Sequence, residues 1–409
     1  MKKSLIALAA LAAVSAASAQ STVEIYGRAH LAFDNWGATG TTAGATTEAR
    51  SRNRVSDDSS RIGFRINEDL GGGLRAFSVI ETGINIDTAT ANGQSGAANS
   101  GSGYIGTREA HVGIGNGQAE IRFGRQNVFW ANGKIEDQSA NMFHGGVISS
   151  FTAPSTGWIA TPAARADNTT KIVLNKDLVG TMFAGSEVWY SVGTLAESAA
   201  INTAAVAKAY GFTVKAEQGP FAAQYDYGIN KNSLNNISTT TAADSTTTGG
   251  KLGLAYFYAP TSKVAFINTQ LKLENTNAIT NAYVPVNIGT ATAAAGIGNY
   301  NQGFRKQASN AFLVQHDLGG GNIVMGQYVK QANIKDVNGN SVNNTGATAY
   351  SMAYRKDLSK RTSVSVAYTL INNDSYNNIT NSGGGQSSVG VVGLGATVKM
   401  YGVGIQHNF

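Results

Sequence analysis

Arginine at alternate positions is the main chemical signal in this 409-residue sequence. In Arg61-Ile62-Gly63-Phe64-Arg65-Ile66 the two arginines fall on one side of a period-2 pattern and Ile62, Phe64 and Ile66 on the other. The stretch Val23 to Phe33 repeats it, setting Glu24, Tyr26, Arg28 and His30 against Val23, Ile25, Ala29, Leu31 and Phe33. A guanidinium stays charged at physiological pH and offers N–H donors in a fixed fork. Such groups on one face of a sheet attract anions and do not shuttle protons. The five histidines, His30, His111, His144, His316 and His407, show no metal-ligand spacing. No Gly-x-Ser-x-Gly turn for a nucleophilic serine occurs either. The sequence therefore points away from an enzyme, and no cofactor or metal is expected.

The elements that hold these arginines are amphipathic strands. At the C-terminus Tyr401, Val403, Ile405, His407 and Phe409 share one face, and Met400, Gly402, Gly404, Gln406 and Asn408 the other. A terminal aromatic suits a strand that closes a barrel against the first strand with its ring at a lipid–water boundary. A second strand is expected from about Val55 through Ile66, then a tight turn at Glu68 to Gly73, then a return over Leu74 to Ile86. With Leu74, Ala76, Ser78 and Ile80 outward, Arg75, Phe77, Val79 and Glu81 face in. Further short turns fall near Asn116-Gly117, Lys176 to Leu178, Gln218 to Pro220, Ala259 to Thr261, Asp317 to Gly321 and Lys356 to Ser359. Longer polar loops lie near 37–50, 89–103, 127–164, 194–204, 231–248, 276–302, 334–345 and 374–390. Eight loops and seven turns predict an all-β, transmembrane, antiparallel 16-stranded barrel with short periplasmic turns and long extracellular loops. Tyr225, Tyr227, Tyr256 to Tyr258, Tyr350, Tyr354, Tyr368, Tyr401 and Phe409 gather where strand ends should be, as interface girdles would.

Composition agrees. The chain has 49 glycines, 5 prolines and no cysteine, and no apolar run after the N-terminus is long enough for a membrane helix. Lys2, Lys3, the apolar stretch Leu5 to Val14 and Ala17-Ser18-Ala19 predict a signal peptide over 1–19, leaving 20–409 as the barrel. The formal charge of +6 on the full chain is mild and shows no basic block, so nucleic acid is not an expected partner. The 127–164 loop is the longest connection and holds Phe129, Trp130, Phe143, Phe151 and Trp158 with the acids Glu136 and Asp137. A long loop with large residues of its own packs on something, and in a wide barrel the available surface is the inner wall.

Taken together these stretches resemble the general porins of Gram-negative outer membranes, in the trimeric 16-stranded family of neisserial and other β-proteobacterial species. The resemblance is carried by Val23-Glu24-Ile25-Tyr26-Gly27, Ser60 to Phe64 leading into Glu68 to Leu74, Ile121-Arg122-Phe123-Gly124-Arg125-Gln126, Lys356 to Thr362, and His407-Asn408-Phe409. It implies a homotrimer of water-filled barrels in outer-membrane lipid and lipopolysaccharide, each narrowed by an inward-folded third loop, here 127–164. It also implies passive diffusion of ions and small hydrophilic solutes, with a substrate-specific channel as the alternative. Basic residues would face acids across the constriction. Alternation alone puts Arg61 inside, with Arg28 and Arg65, whereas Arg108 and Arg165 enter through the resemblance. Glu81 matches an acidic wall position, and Glu136 and Asp137 are the acids of a loop whose acidic pattern departs from the family's. Excess arginine would favour anions weakly.

Overall fold

The computed structural model describes residues 21–40, 49–87, 105–128, 134–135, 165–192, 208–232, 245–275, 304–335, 339–377, 379 and 393–409. They form one antiparallel sheet of seventeen segments that closes on itself. The segments are β1 (Thr22–Thr39), β2 (Ala49–Asp57), β3 (Arg61–Gly71), β4 (Leu74–Gly83), β5 (Glu109–Gly115), β6 (Ala119–Asn127), β7 (Arg165–Leu174), β8 (Ser186–Ser191) and β9 (Lys208–Gln218). Then follow β10 (Phe221–Asn232), β11 (Ser245–Ala259), β12 (Ser262–Asn275), β13 (Phe304–Gly319), β14 (Asn322–Gln331), β15 (Ala347–Asp357), β16 (Thr362–Asn373) and β17 (Thr397–Asn408). Closure is the β1–β17 ladder, in register from Arg28↔Asn408 to Thr39↔Thr397. Closure leaves no sheet edge, so backbone groups can be satisfied without water.

Two segments share one place in the barrel. β1 pairs with β3 along Thr22 to Arg28 and with β2 along Leu31 to Ala38. Between these ladders the three residues 58–60 face the two residues 29–30, which is one extra residue, a β-bulge. The seventeen segments therefore make sixteen barrel strands. The second strand expected to run unbroken from Val55 to Ile66 is interrupted here. The reason is parity: Val55 and Ile62 both belong outside, yet an odd number of steps separates them, so a regular strand cannot place both there. Ser59 absorbs the change at φ 63°.

Alternation elsewhere follows the sequence pattern. Val23, Ile25, Phe33, Val112, Val214, Tyr401, Val403 and Ile405 are exposed on the outside, and Arg28, His30, Phe77, Glu81, Val398 and Met400 are buried on the inside. Among the described residues no helix is long enough to cross a membrane; the strands do so. Six of the seven expected turns are short connections. The seventh, after Lys176, is a short helix, α1 (Lys176–Phe183), broken at Gly180 by a φ of 73°. It is set on the β5–β6 turn by Asp177 N donating to Gly117 O (3.1 Å) and Asn175 Nδ2 to Asn116 O (2.7 Å). The two Asp-Leu-Gly-Gly-Gly turns have one construction. Asp69 Oδ1 accepts from Gly71 N, and Asp317 Oδ1 from Gly319 N, each at 2.8 Å. All six glycines have positive φ, which side chains other than glycine rarely adopt.

Candidate pore constriction

The arginine-bearing wall is built across β1, β3, β4, β5 and β7. Arg28 and Arg61 are direct cross-strand partners, and so are Glu81 and Glu109 and, further round, Asn127 and Arg165. Glu81 is the hub. Its Oε1 accepts Arg108 Nε at 2.6 Å, its Oε2 accepts the Tyr26 hydroxyl at 3.1 Å, and Arg61 Nε lies 3.6 Å away. Arg165 lies in electrostatic reach of Arg108, Glu109 and Glu81, and Asn127 Nδ2 donates to Glu109. Arg28, Arg61, Arg108 and Arg165 thus come together, as four strands could not have shown in one dimension.

Arg28 is nevertheless buried, and its work is local. It donates to the carbonyls of Asp58 (3.0 Å) and Ser59 (3.1 Å), closing the bulge from inside. Ser60 completes the bulge by accepting the His30 N–H on its hydroxyl at 2.9 Å, and Asp58 sits 3.4 Å from His30 Nδ1. Arg65 stands apart, nearer the short-turn rim. It stacks on Tyr26 at 3.7 Å and pairs with Glu24 at 3.3 Å. Glu136 and Asp137 lie outside the described residues, as do 1–20 and most of the 127–164 loop.

Two described residues near the start of that loop, Lys134 and Ile135, lie against the far inner wall. Lys263 of β12, fully buried, donates from Nζ to the carbonyls of Lys134 and Ile135, the latter at 2.8 Å. Ile135 is itself buried, and a Cβ on Gly253 of β11 would sit 3.0 Å from its Cδ1. Neither Lys263 nor Gly253 stood out in the sequence, because a single lysine in a strand carries no motif.

Charge on the β1–β6 wall is layered. Asp34 is fully covered and its partner Arg54 20% exposed; Glu81 is 12% exposed and Arg61 29%. Glu120 is 6% exposed beneath Arg122 at 28% and Arg75 at 44%. In all three clusters one guanidinium is more exposed than the carboxylate it faces, although Arg108, at 11%, is as covered as Glu81. The order reverses at Arg65 and Glu24 on β3 and β1, and at Arg125 and Asp167, 2.5 Å apart, on β6 and β7. The first strand's Asp34 and the Glu120 cluster were missed by sequence reasoning; inward parity shared with Arg28 and Phe77 was the available signal.

This geometry, a closed 16-stranded barrel with charged clusters on its inner wall, has close counterparts. The profile of the Gram-negative porin family matches residues 7–376. The chain belongs to the Gram-negative porin family. This porin is 33% identical over 127 residues to the major outer membrane protein P.IB of Neisseria lactamica, a match covering 31% of this chain and 34% of that protein. It is 27% identical over 263 residues to outer membrane porin protein 32 of Delftia acidovorans, covering 56% and 68%. Thus the chain spans only about a third of the neisserial relative's length. Among solved structures, an anion-selective porin from Comamonas acidovorans superposes with a TM-score of 0.66 at 20% identity, covering 95% of this chain and all of that one. A trimer form of OmpT from Vibrio cholerae superposes at 0.58 with 15% identity, covering 95% and 99%. These structures share the fold. The porin is an outer-membrane β-barrel and not an enzyme.

Proposed function

We propose that this porin is a general diffusion channel, passing ions and small hydrophilic solutes through a water-filled lumen with a weak preference for anions. The observation that carries the reading is the layered charge on the β1–β6 wall. At Asp34, Glu81 and Glu120 a passing ion meets an arginine before the carboxylate, so the near field there is positive even where the charges balance. Arg61 and Arg108 are the wall groups assigned to the constriction, with Arg165 beside them, Arg28 bracing the bulge and Arg65 at the periplasmic approach. Glu81 is the wall acid. In this reading Glu136 and Asp137, from the 127–164 loop, are the acids opposite the arginines. The seat of Lys134 and Ile135 on β11 and β12 supports an inward path for it. The anion-selective porin from Comamonas acidovorans, which shares this fold, agrees with the sign of the preference. Three copies assemble, as in the trimeric Vibrio structure, after export directed by residues 1–19.

The test is single-channel conductance and reversal potential in a planar bilayer under a KCl gradient. Conductance in steps of three and a reversal potential favouring chloride are expected, with the preference weakened in Arg61→Ala. A reversal potential favouring potassium would mean that carboxylates dominate the constriction. Absence of channels would sink the reading.

A further inference from the structure

Inside the barrel, on the side away from the arginine wall, one row of the sheet is apolar across six strands. Ile267 of β12, Ala311 of β13, Val329 of β14, Ala349 of β15, Ile371 of β16 and Val398 of β17 are successive direct cross-strand partners. All face inward, and none is more than 1% exposed. An apolar belt facing a water-filled lumen would be hydrated, so one this well covered has something packed on it. Ile135 of the third loop covers the β12 end, against Gly253, the cross-strand partner of Ile267.

The β17 end is covered by the root of the eighth loop, residues 374–377 with Ile379. Ile379 is buried in the same apolar cluster as the belt. Its backbone is clamped by Asn373, the last residue of β16, whose Oδ1 accepts Ile379 N at 2.8 Å and whose Nδ2 donates to Ile379 O at 3.0 Å. Asn377, also buried, ties the root to its neighbours: its Nδ2 donates to Gln331 Oε1 (2.9 Å) and to the carbonyls of Thr345 (3.0 Å) and Gly346 (3.1 Å). Gln331 shares the inward parity of Val329, so the root lies within the mouth of the barrel. The returning chain is held in the same place, with Gly395 N donating to Asn377 O at 2.8 Å and Ala396 fully buried. A loop that only bridged two strands through solvent would gain nothing from a buried isoleucine.

We propose that the eighth-loop root is a second constriction element. Together with Ile135 it closes the apolar side of the lumen and confines passing ions to the side of Arg61 and Arg108. Ile379 is the covering side chain, and Asn377 is the positioning residue that fixes the root to β14 and to the start of β15. The inference rests on the diffusion-channel reading and adds to it where the open path runs.

The experiment is planar-bilayer recording of the full-length folded protein, with neutral polyethylene glycols of graded mass to size the pore and reversal potentials at about 0.1 M KCl to report the path. Asn377→Ala and Ile379→Asn should each raise single-channel conductance and admit larger polymers. A path about 10 Å from a guanidinium, in place of about 5 Å, feels about a third of its screened field, so the chloride-to-potassium ratio should fall about threefold. Ile379→Leu, which keeps volume and apolarity, should match wild type. Asn377→Ala leaves every barrel ladder intact, and the melting temperature of the folded, heat-modifiable band reports stability separately. A lower melting temperature with unchanged polymer cutoff in both variants overturns the proposal, because the root would then only brace the loop. A larger cutoff with an unchanged ratio, in a wild type that prefers chloride, overturns confinement against the arginines. A wild type without chloride preference would fail the anion reading alone, and the polymer cutoff would still decide for or against the root.

Discussion

Replacing Glu81 by glutamine removes one charge and almost no volume at the hub of the arginine wall. Glu81 accepts from Arg108 at 2.6 Å and Tyr26 at 3.1 Å, with Arg61 3.6 Å away. The amide keeps one acceptor oxygen, so the barrel should fold, but Arg61 and Arg108 lose their shared carboxylate. A unit charge about 5 Å from an ion in water contributes about 0.8 kcal/mol. Screening at about 0.1 M salt, with a Debye length of about 10 Å, lowers this to about 0.5 kcal/mol. The change lowers the energy of an anion and raises that of a cation by the same amount. Glu81→Gln should therefore raise the chloride-to-potassium permeability ratio by about fivefold. Arg61→Ala should lower it by a similar factor. The assay is reversal potential in planar bilayers at about 0.1 M KCl, where screening is still incomplete, repeated at about 1 M, where a Debye length of about 3 Å should nearly abolish the difference. A shift toward potassium in Glu81→Gln, or a shift of one sign in both variants, would refute the layered-charge argument. A fivefold effect that survives at high salt would also count against it, since it would have to arise from a change of pore shape.

Lys263→Met removes the ammonium that holds the carbonyls of Lys134 and Ile135, and hydrogen bonds to a charged group contribute about 1.5–3 kcal/mol each. The loop should loosen, giving noisier open-channel current and a larger mean conductance; traces matching wild type would rule out this seat as a determinant of pore width. Gly27→Val would put a Cβ 2.8 Å from the Arg61 carbonyl and in steric clash with the edge of the Phe409 ring, beside the bonds Gly27 N to Phe409 O (2.9 Å) and Phe409 N to Gly27 O (3.1 Å) that fix the C-terminus. Overpacking of this kind costs about 1–3 kcal/mol, so the folded, heat-modifiable band should appear more slowly and melt at lower temperature than wild type. An unchanged melting temperature would show that the Phe409 contact adds little to closure.

Much of the barrel could be read directly from residue order. A strand facing lipid on one side and water or packed side chains on the other must alternate, and alternation is a local property. This is why the outward faces of β1 and β17, the inward Arg28, Arg61 and Glu81, and the positions of the turns follow from the sequence. The two Asp-Leu-Gly-Gly-Gly turns were legible for a related reason: positive φ at consecutive positions calls for glycine, and the aspartate supplies its own cap. The interruption at 58–60 could have been read from the parity conflict between Val55 and Ile62, yet its one-residue size needed the pairing partners in β1. A helix after Lys176 was not legible, since eight residues around Gly180 give too short a period to recognise.

What only the tertiary structure decided is everything that depends on neighbours around the barrel. Which carboxylate lies beneath which guanidinium is set by ladder register and by side-chain depth, and neither is encoded in a single strand. The Arg61–Glu81–Arg108 cluster joins residues from three stretches, and Lys263 meets a backbone that is 128 residues distant in the chain. The apolar belt inside the barrel is likewise invisible along the sequence, because Ile267, Ala311, Val329, Ala349, Ile371 and Val398 become adjacent only when β12 to β17 are laid side by side. Periodicity fixes the face on which a side chain stands; closure of the sheet fixes the company it keeps.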